Sequence, residues 1–203
     1  LELLMDPWII DRHEKSEHVI ERTLQAMADG GIYDHIGGGF HRYATDALWR
    51  VPHFEKMLYN QAQLVSVYAK AYVRTGNERW RFVVDDILRY VSREMTSPEG
   101  AFFSALDAET ETIEGKYYVW TKEEIYTLLG TEGADLFFKY YELAPMAEGI
   151  EGVVFSKGKI GQFDLEWSDK KLAVQFETLR AVLRHAREER TYPLLDDKII
   201  TSW

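Results

Sequence analysis

The chain has 203 residues, 46% of them hydrophobic, which is enough for one sizeable core and too few for two comfortable domains. Asp and Glu outnumber Lys and Arg by 34 to 24, and the net charge of −10 disfavours nucleic acid and anionic membrane surfaces as partners. The sequence has no apolar run near the ~20 residues of a bilayer span, no secretory signal pattern and no cysteine. We therefore predict a single soluble, cytoplasmic domain over residues 1–203.

Apolar residues at three- and four-residue spacing predict helices in the first half of the chain. The first helix covers residues 16–28, and Gly30-Gly31 after it suit a left-handed helix terminus. The second covers residues 54–75, and the third runs through residues 80–91. Because their connection is short, the second and third helices should form an αα-hairpin.

The second half of the chain continues this helical pattern after a short β segment. Residues 100–105 and 116–120 flank the acidic stretch 107–114, which predicts a small β-hairpin with an acidic tip. Thr121 and Glu124 form a capping-box pattern, so a fourth helix should begin there and end at Gly130. Two further helices are predicted over residues 134–143 and 169–189, with a glycine-rich loop between them over 149–163 that contains a short strand at 153–155. The chain is thus predicted to be mainly α-helical, in hairpins of the kind found in toroids and solenoids.

The segment 30–59 has the densest set of chemistry-bearing residues. Five of the ten residues 30–39 are glycines, which are used where the backbone needs positive φ or a close approach to another group. Imidazoles and carboxylates beside aromatic rings suit the binding and processing of a sugar. The titratable candidates in this segment are Asp34, His35, His41, Asp46, His53 and Glu55, and the aromatic ones are Tyr33, Phe40, Tyr43 and Trp49.

Each histidine of this segment has a functional and a structural interpretation. His53 and Glu55 are predicted at a helix N-terminus, where the helix dipole would favour a neutral imidazole and a charged carboxylate. Alternatively, Glu55 only satisfies the helix start and His53 packs against Trp49. A function is favoured for His41 beside Arg42, whereas residues 34–35 are equally explained as a turn that bonds to its own backbone.

Carboxylates in the acidic stretch offer a second kind of chemistry. Asp107 and Glu109 are the best pair for acid–base work on a glycosidic bond, which requires carboxyl groups ~5–9.5 Å apart. Glu111 and Glu114 are explained at least as well as a solvated tip. The charged residues 196–198 could cap the element that follows or project into a central cavity.

Three sequence segments carry a resemblance to a known family. They are Gly-Gly-Gly-Phe-His-Arg-Tyr at 37–43, Val-Pro-His-Phe-Glu-Lys-Met-Leu-Tyr at 51–59, and Asp-Asp-Lys-Ile-Ile-Thr-Ser-Trp at 196–203. With the acidic hairpin, they make the chain resemble the YyaL-like, spermatogenesis-associated family. Members couple a thioredoxin-like domain to an (α/α)6 toroid similar to that of N-acylglucosamine 2-epimerases and six-hairpin glycosidases.

The resemblance implies a fold more firmly than a reaction. It implies that this chain is the first half of an (α/α)6 toroid, without the thioredoxin-like domain, and we expect a fragment of a longer protein. A carbohydrate-related activity is implied only by analogy of fold, because one fold hosts many chemistries. The half-toroid would expose an apolar edge, which predicts homo-oligomers.

Our hypothesis from the sequence is a sugar-sized cleft with a small sugar as ligand. The reaction would be epimerisation or isomerisation of an aldose, with paired histidines passing a proton, or hydrolysis of a glycoside, in which carboxylates dominate. The alternative is a non-catalytic scaffold that binds a glycan or a protein. No cofactor or metal is predicted, because the sequence has neither a phosphate-binding loop nor a His-Glu-x-x-His pair. The predicted catalytic residues are His41, His53, Asp107 and Glu109; the predicted substrate-binding residues are Arg42, Tyr43, Trp49, Glu55, Lys56, Tyr117, Asp196, Asp197 and Lys198.

Overall fold

The computed structural model of the chain describes residues 5, 14–145, 152–157 and 170–201. Over these residues the architecture is mainly helical, as predicted. No helix in this described part is long and apolar enough to cross a membrane. The helices are α1 (Glu14–Asp29), α2 (Leu58–Thr75), α3 (Glu78–Glu94), α4 (Lys122–Tyr140) and α5 (Lys170–Glu188).

Short antiparallel strands connect the helices and form small separate sheets. One three-stranded sheet joins distant parts of the chain in the order β3-β4-β9, and the other sheets are two-stranded, pairing β1 with β2, β5 with β6 and β7 with β8. The strands are β1 (Tyr43–Ala44), β2 (Pro52–His53), β3 (Lys56–Met57), β4 (Ala105–Leu106), β5 (Glu109–Thr110), β6 (Ile113–Glu114), β7 (Tyr141–Pro145), β8 (Val153–Lys157) and β9 (Leu195–Asp196).

Helix α2 begins later than predicted. Its first residue is Leu58, and the segment before it is extended, because β2 pairs with β1 and β3 pairs with β4. Alternate residues 52, 54, 56 and 58 are buried, which is the two-residue period of a strand. The predicted position of His53 and Glu55 at a helix N-terminus is therefore wrong, and the helix dipole does not act on them as expected.

The predicted β-hairpin is also replaced by a different pairing. The segments 100–105 and 116–120 do not pair with each other, since β4 lies between β3 and β9. The acidic stretch itself folds into the tight hairpin β5–β6. At its turn, Glu111 and Thr112 have φ angles of 52° and 64°, the left-handed region that two-residue hairpin turns of type I′ require.

The glycines at two helix ends act in different ways. Gly76 after α2 is left-handed, with φ of 67°, and its N–H donates to the carbonyl of Tyr72 over 2.8 Å. Gly30 and Gly31 after α1 do not adopt the positive φ that we expected. They permit close approach instead, because a Cβ on Gly31 would lie 1.9 Å from the carbonyl oxygen of Arg50.

Helices α4 and α5 follow the sequence prediction in part. The capping box is confirmed, with Glu124 N–H donating to Thr121 Oγ1 over 3.1 Å and Thr121 N–H donating to Glu124 over 2.7 Å. Gly130, with φ of 67° and ψ of 172°, interrupts the helical backbone of α4 at the residue where the fourth helix is predicted to end. The helical turns after it, which correspond to the predicted fifth helix, end at Tyr140, and the chain then forms β7 instead of continuing as a helix to residue 143. Strand β8 and helix α5 confirm the predicted strand and last helix. Residues 149–151 and 158–163 of the predicted loop, and residue 169 of the predicted helix, lie outside the described residues.

Two apolar clusters form most of the core, one on each side of residues 30–41, which we call the glycine-rich segment. The first unites α1, the αα-hairpin of α2 and α3, and the rings of Tyr33 and Phe40. The second unites α4, α5, β7 and β8 with Ile36. Tyr68 and Trp80 pack in the first cluster, as their spacing predicted. The segment 31–41 is buried throughout, so it joins the two clusters rather than lining an open surface.

Candidate functional site

A buried ionic cluster holds the glycine-rich segment in place. Asp34 Oδ2 accepts from Lys56 Nζ over 2.7 Å, and Asp34 Oδ1 accepts from Arg187 Nη1 over 3.0 Å. The same Oδ1 accepts from the backbone N–H groups of Ile36 and Gly37, so the turn that we considered as an alternative is also present. The three ionic side chains are each at most 6% exposed. Asp34 is therefore both a turn residue and the anion of an interior ion triad.

Burial and neighbouring charges set the protonation of this cluster. Burial by itself would raise the pKa of Asp34, but Arg187 and Lys56 together hold that pKa well below its ordinary value. Burial lowers the pKa of Lys56 to about 8, although Asp34 acts in the opposite direction. Lys56 Nζ also donates to the carbonyl of Gly38 over 2.8 Å and lies 4.2 Å from the centre of the Tyr90 ring. Lys56, one of the predicted substrate-binding residues, thus lies in the interior.

A second buried cluster connects α5 to α3. Arg180 Nη2 donates to Asp86 Oδ1 over 3.1 Å, and the hydroxyl of Tyr33 donates to the same carboxylate. Because Tyr33 belongs to the glycine-rich segment, α5 is attached to that segment through Arg180 as well as through Arg187. Both arginines are buried and help to join the two apolar clusters.

His41 is enclosed in the core. Its Nδ1 donates to the carbonyl of Phe54 over 2.8 Å, and its ring meets those of Phe54 and Tyr118 edge-on. Burial and the charge of Lys56 lower the pKa of His41 to about 3, so the imidazole is neutral at pH 7. The structure places this predicted catalytic residue away from solvent.

Four predicted site residues meet at the surface with one carboxylate from the acidic hairpin. His53 Nδ1 lies 2.7 Å from Glu114 Oε1, and Glu55 Oε2 lies 3.7 Å from His53 Nε2. Arg42 Nη1 donates to Glu55 over 2.8 Å, and the Tyr43 ring stacks on His53 at a centroid distance of 5.0 Å. We call these five residues the His53 cluster. The packing of His53 on Trp49 that we considered is replaced by stacking on Tyr43.

The contacts of the His53 cluster fix the orientation of the imidazole ring. A carboxylate only accepts hydrogen bonds at neutral pH, so His53 Nδ1 carries the hydrogen and Nε2 is the free base in the neutral ring. The His53 side chain is 24% exposed, which leaves it accessible to a small molecule. Strands β1 and β2 position it, because Tyr43 and His53 are register partners.

The remaining predicted site residues lie elsewhere. Trp49 has φ of 61° and packs against the first apolar cluster, and Tyr117 lines a separate cleft. The carboxylates of Asp107 and Glu109 are exposed on and beside β5. At the C-terminal side, Asp196 belongs to β9, and Lys198 pairs with it over 3.1 Å on the surface beside Asp197.

Sequence reasoning undervalued Glu114 and missed the two arginines of α5. Glu114 looked like part of a solvated tip, and its contact with His53 depends on the tight turn of β5–β6. Arg187 lies on the same side of α5 as the apolar residues Phe176 and Leu183. A cation is unusual in such a position, and this pattern could have indicated that Arg187 has a buried anionic partner. No group of three or more His, Asp or Glu in residues 14–145, 152–157 and 170–201 is placed to hold a metal ion.

Comparison with known proteins gives relatives that match the chain from end to end. Spermatogenesis-associated protein 20 of Homo sapiens is 36% identical over 236 aligned positions, and its Mus musculus counterpart is 35% identical over 237. Each alignment covers 100% of this chain and 30% of the relative. An uncharacterised Caenorhabditis elegans protein, B0495.5, is 33% identical over 221 positions, which cover 95% of this chain and 30% of that protein. No family model matches the chain.

Proposed function

We propose, from the premise that this chain belongs to the spermatogenesis-associated protein 20 family, that it contributes a proton-transfer site for a small sugar. The chain spans about 30% of the length of these relatives, so the proposal concerns the His53 cluster and not the activity of a whole relative. The (α/α)6 toroid implied by the family resemblance is part of the same proposal, as is a homo-oligomeric state.

One observation supports the proposal above the others. His53 Nδ1 lies 2.7 Å from Glu114, and its second nitrogen faces Glu55 at 3.7 Å, beyond hydrogen-bond distance, which resembles a general base held by a carboxylate. Arg42 supplies a cation beside it, and its side chain is 44% exposed. The exposed Tyr43 ring offers an apolar face for the C–H surface of a sugar.

The enclosure of His41 favours a one-base reaction over a two-base reaction. His53 Nε2 would take the proton from the carbon next to the sugar carbonyl, and the C–H electron pair would form the enediolate, whose negative oxygen Arg42 stabilises. His53 would then return the proton to the neighbouring carbon, while the hydroxyl proton passes to the former carbonyl oxygen. This sequence is an aldose–ketose isomerisation. Two-base epimerisation with His41 as the partner is less favoured, because His41 is buried.

Deuterium exchange tests this proposal directly. The chain is incubated in D2O with aldoses, and NMR follows deuterium at carbon 2 and the appearance of ketose. We expect His53→Ala to abolish exchange and the surface variant His185→Ala to retain it. Retention in Asp107→Asn would support isomerisation over hydrolysis. Glycoside cleavage that Asp107→Asn abolishes and His53→Ala retains would overturn the proposal, as would the absence of exchange with every aldose.

A scaffold function remains the second candidate, because the polar pairs of the His53 cluster also satisfy one another. Arg42 is bound by Glu55, and Asn60 donates to its carbonyl over 2.9 Å. A catalytic group usually costs folding stability, whereas a structural one adds to it. An unchanged or raised melting temperature in His53→Ala therefore supports catalysis, and a fall of several degrees supports the scaffold.

A further inference from the structure

A small cavity lies between α1, α3, β8 and α5, away from the His53 cluster. The volume open to the centre of a water molecule is about 10 Å³, which is room for one water molecule and too little for an organic ligand. Tyr33 and His35 of the glycine-rich segment, Tyr141 and Arg180 are among its lining residues, and all four are buried. Any occupant of this cavity is therefore a single small molecule or ion.

Two buried nitrogen atoms of the lining residues lack hydrogen-bond partners in the described part of the chain. They are Nδ1 of His35 and Nε of Arg180. His35 is 3% exposed and Arg180 is 5% exposed, so bulk water does not solvate these groups. Native proteins rarely leave such groups unpaired, because burial removes the hydrogen bonds that they make to water in the unfolded chain. The two nitrogen atoms together indicate an occupant of the cavity.

The hydrogen bond of the other ring nitrogen determines what His35 Nδ1 requires. His35 Nε2 lies 2.9 Å from the carbonyl oxygen of Gly30, which only accepts, so Nε2 carries the hydrogen. Burial and the charge of Lys157 lower the pKa of His35 to about 3, so the ring is neutral at pH 7 and Nδ1 has no hydrogen. His35 Nδ1 therefore needs a donor, whereas the N–H group at Arg180 Nε needs an acceptor.

These opposite requirements distinguish a water molecule from an anion. The cations Arg79 and Lys157 also line the cavity, and a cationic lining by itself would suit a halide ion. A halide ion, however, has no hydrogen to donate to His35 Nδ1, and Arg79 already donates to Asp29. A water molecule both donates and accepts, and buried waters commonly bridge polar groups that have no other partner.

We propose that one buried water molecule occupies this cavity, donates to His35 Nδ1 and accepts from Arg180 Nε. The water completes a chain of hydrogen bonds that begins and ends in the glycine-rich segment. At one end, His35 Nε2 donates to the Gly30 carbonyl. At the other end, Asp86 accepts from Arg180 Nη2 over 3.1 Å and from the hydroxyl of Tyr33. The water thus attaches the segment to α5 at one more point, and this proposal does not rest on the proposed sugar chemistry.

A crystal structure of the chain, at a resolution that shows ordered waters, tests the proposal directly. We expect one peak of electron density within hydrogen-bond distance, about 2.7–3.2 Å, of both His35 Nδ1 and Arg180 Nε. Crystals grown in bromide identify a bound halide by its anomalous scattering, and we expect no anomalous peak in the cavity. An empty cavity, an anomalous peak at this position, or a direct contact between the two nitrogen atoms would overturn the proposal.

Oxygen-17 relaxation dispersion counts slowly exchanging buried waters in solution and therefore tests the same site with variants. His35→Phe keeps an aromatic ring but removes the acceptor, so we expect the number of slowly exchanging waters to fall by one. His185→Phe, at an exposed position of α5, is the matched control and should leave the number unchanged. An equal number in His35→Phe and in the unsubstituted chain would contradict the proposal. The crystallographic test needs no variant, so it applies even if His35→Phe fails to fold.

Discussion

At the scale of single residues, the unusual feature is the number of charges in the interior. Asp34, Lys56 and Arg187 lie together with almost no exposure, and Asp86 and Arg180 form a second buried pair. Moving a charge out of water is expensive, and attraction between the partners offsets that cost only while every partner is present. Removing one member should therefore be far more damaging than removing a surface charge.

Asp34→Asn tests this cost. The substitution keeps the shape but leaves Lys56 and Arg187 without their anion, so we expect the free energy of unfolding to fall by about 3–5 kcal/mol. Urea denaturation measures it. Glu17→Gln, which removes the anion of an exposed pair with Arg74, is the matched control and should change stability by less than about 1 kcal/mol. If Asp34→Asn changed the free energy of unfolding by less than about 1 kcal/mol, Lys56 and Arg187 would not depend on Asp34 as their anion.

Acid should destabilise the protein through its buried histidines. Burial lowers the pKa of His35 and of His41 to about 3, below the value near 6.5 in the unfolded chain. Between these pH values the unfolded state binds more protons, so stability is lost as pH falls from about 6.5 towards 3. Near pH 4.5, each histidine should contribute about 1.4 kcal/mol per pH unit to the slope of the free energy of unfolding against pH.

The variant His41→Asn isolates one of these contributions. Its amide retains a donor for the Phe54 carbonyl and cannot take up the proton, so the slope of unfolding free energy against pH should decrease by about 1.4 kcal/mol per unit. Urea titrations between pH 4 and 6 measure the slope. His185→Asn, at an exposed position of α5, is the control. An unchanged slope in His41→Asn would mean that His41 does not titrate as proposed.

At the scale of elements, local patterns identified the helices but not the strand pairings. The spacing of Val83 and Ile87 is sufficient to predict α3, and the capping box at Thr121 correctly predicts where α4 begins. The sheet β3-β4-β9 instead depends on partners from three distant segments. The pattern of a single sequence does not show which distant segments pair. The alternation of buried and less buried residues over 52–58 is also ambiguous, because the apolar residues at the end of this segment fit the spacing of a helix as well.

The two glycine mechanisms at helix ends predict different penalties. Gly76→Ala introduces only left-handed strain, since no atom lies within 4 Å of the added Cβ, and should cost about 1 kcal/mol. Gly31→Ala places a Cβ against the backbone of Arg50 and should cost about 3 kcal/mol or more, because the backbone must move. Thermal and urea unfolding compare them. Equal penalties would refute the close-approach explanation for Gly31.

At the scale of the whole molecule, α5 fastens the glycine-rich segment from a distant part of the sequence. The composition of the sequence is sufficient to predict this segment as unusual, and it also predicts His53, Glu55, Arg42 and Tyr43 as site residues, which the structure brings together. The sequence does not predict that Glu114 contacts them, because nothing in it distinguishes this carboxylate from the others in the acidic stretch. Likewise, the distance between Asp34 and Arg187 is set by packing of the two apolar clusters and not by local pattern.

Hydrogen exchange should reveal this long-range attachment. In Arg187→Met, we expect amides of α5 and of residues 36–40 to lose protection together, while the hairpin of α2 and α3 keeps more of its protection. The exposed Arg89→Met variant of α3 is the control. Mass spectrometry of proteolytic fragments locates the change. If only one of these two segments lost protection from exchange, the conclusion that they open together would be wrong.

Because Lys56 lies in the interior, the rate at which its amine is acylated should report how often the fold opens. Its side chain is 1% exposed, whereas Lys116 and Lys122 are exposed. An acylating reagent should therefore label the exposed lysines within seconds to minutes and reach Lys56 only when the core opens. Raising urea below the unfolding midpoint should accelerate labelling of Lys56 in proportion to the open fraction, as measured by mass spectrometry. Equally fast labelling of all three amines in the native state would place Lys56 outside the core.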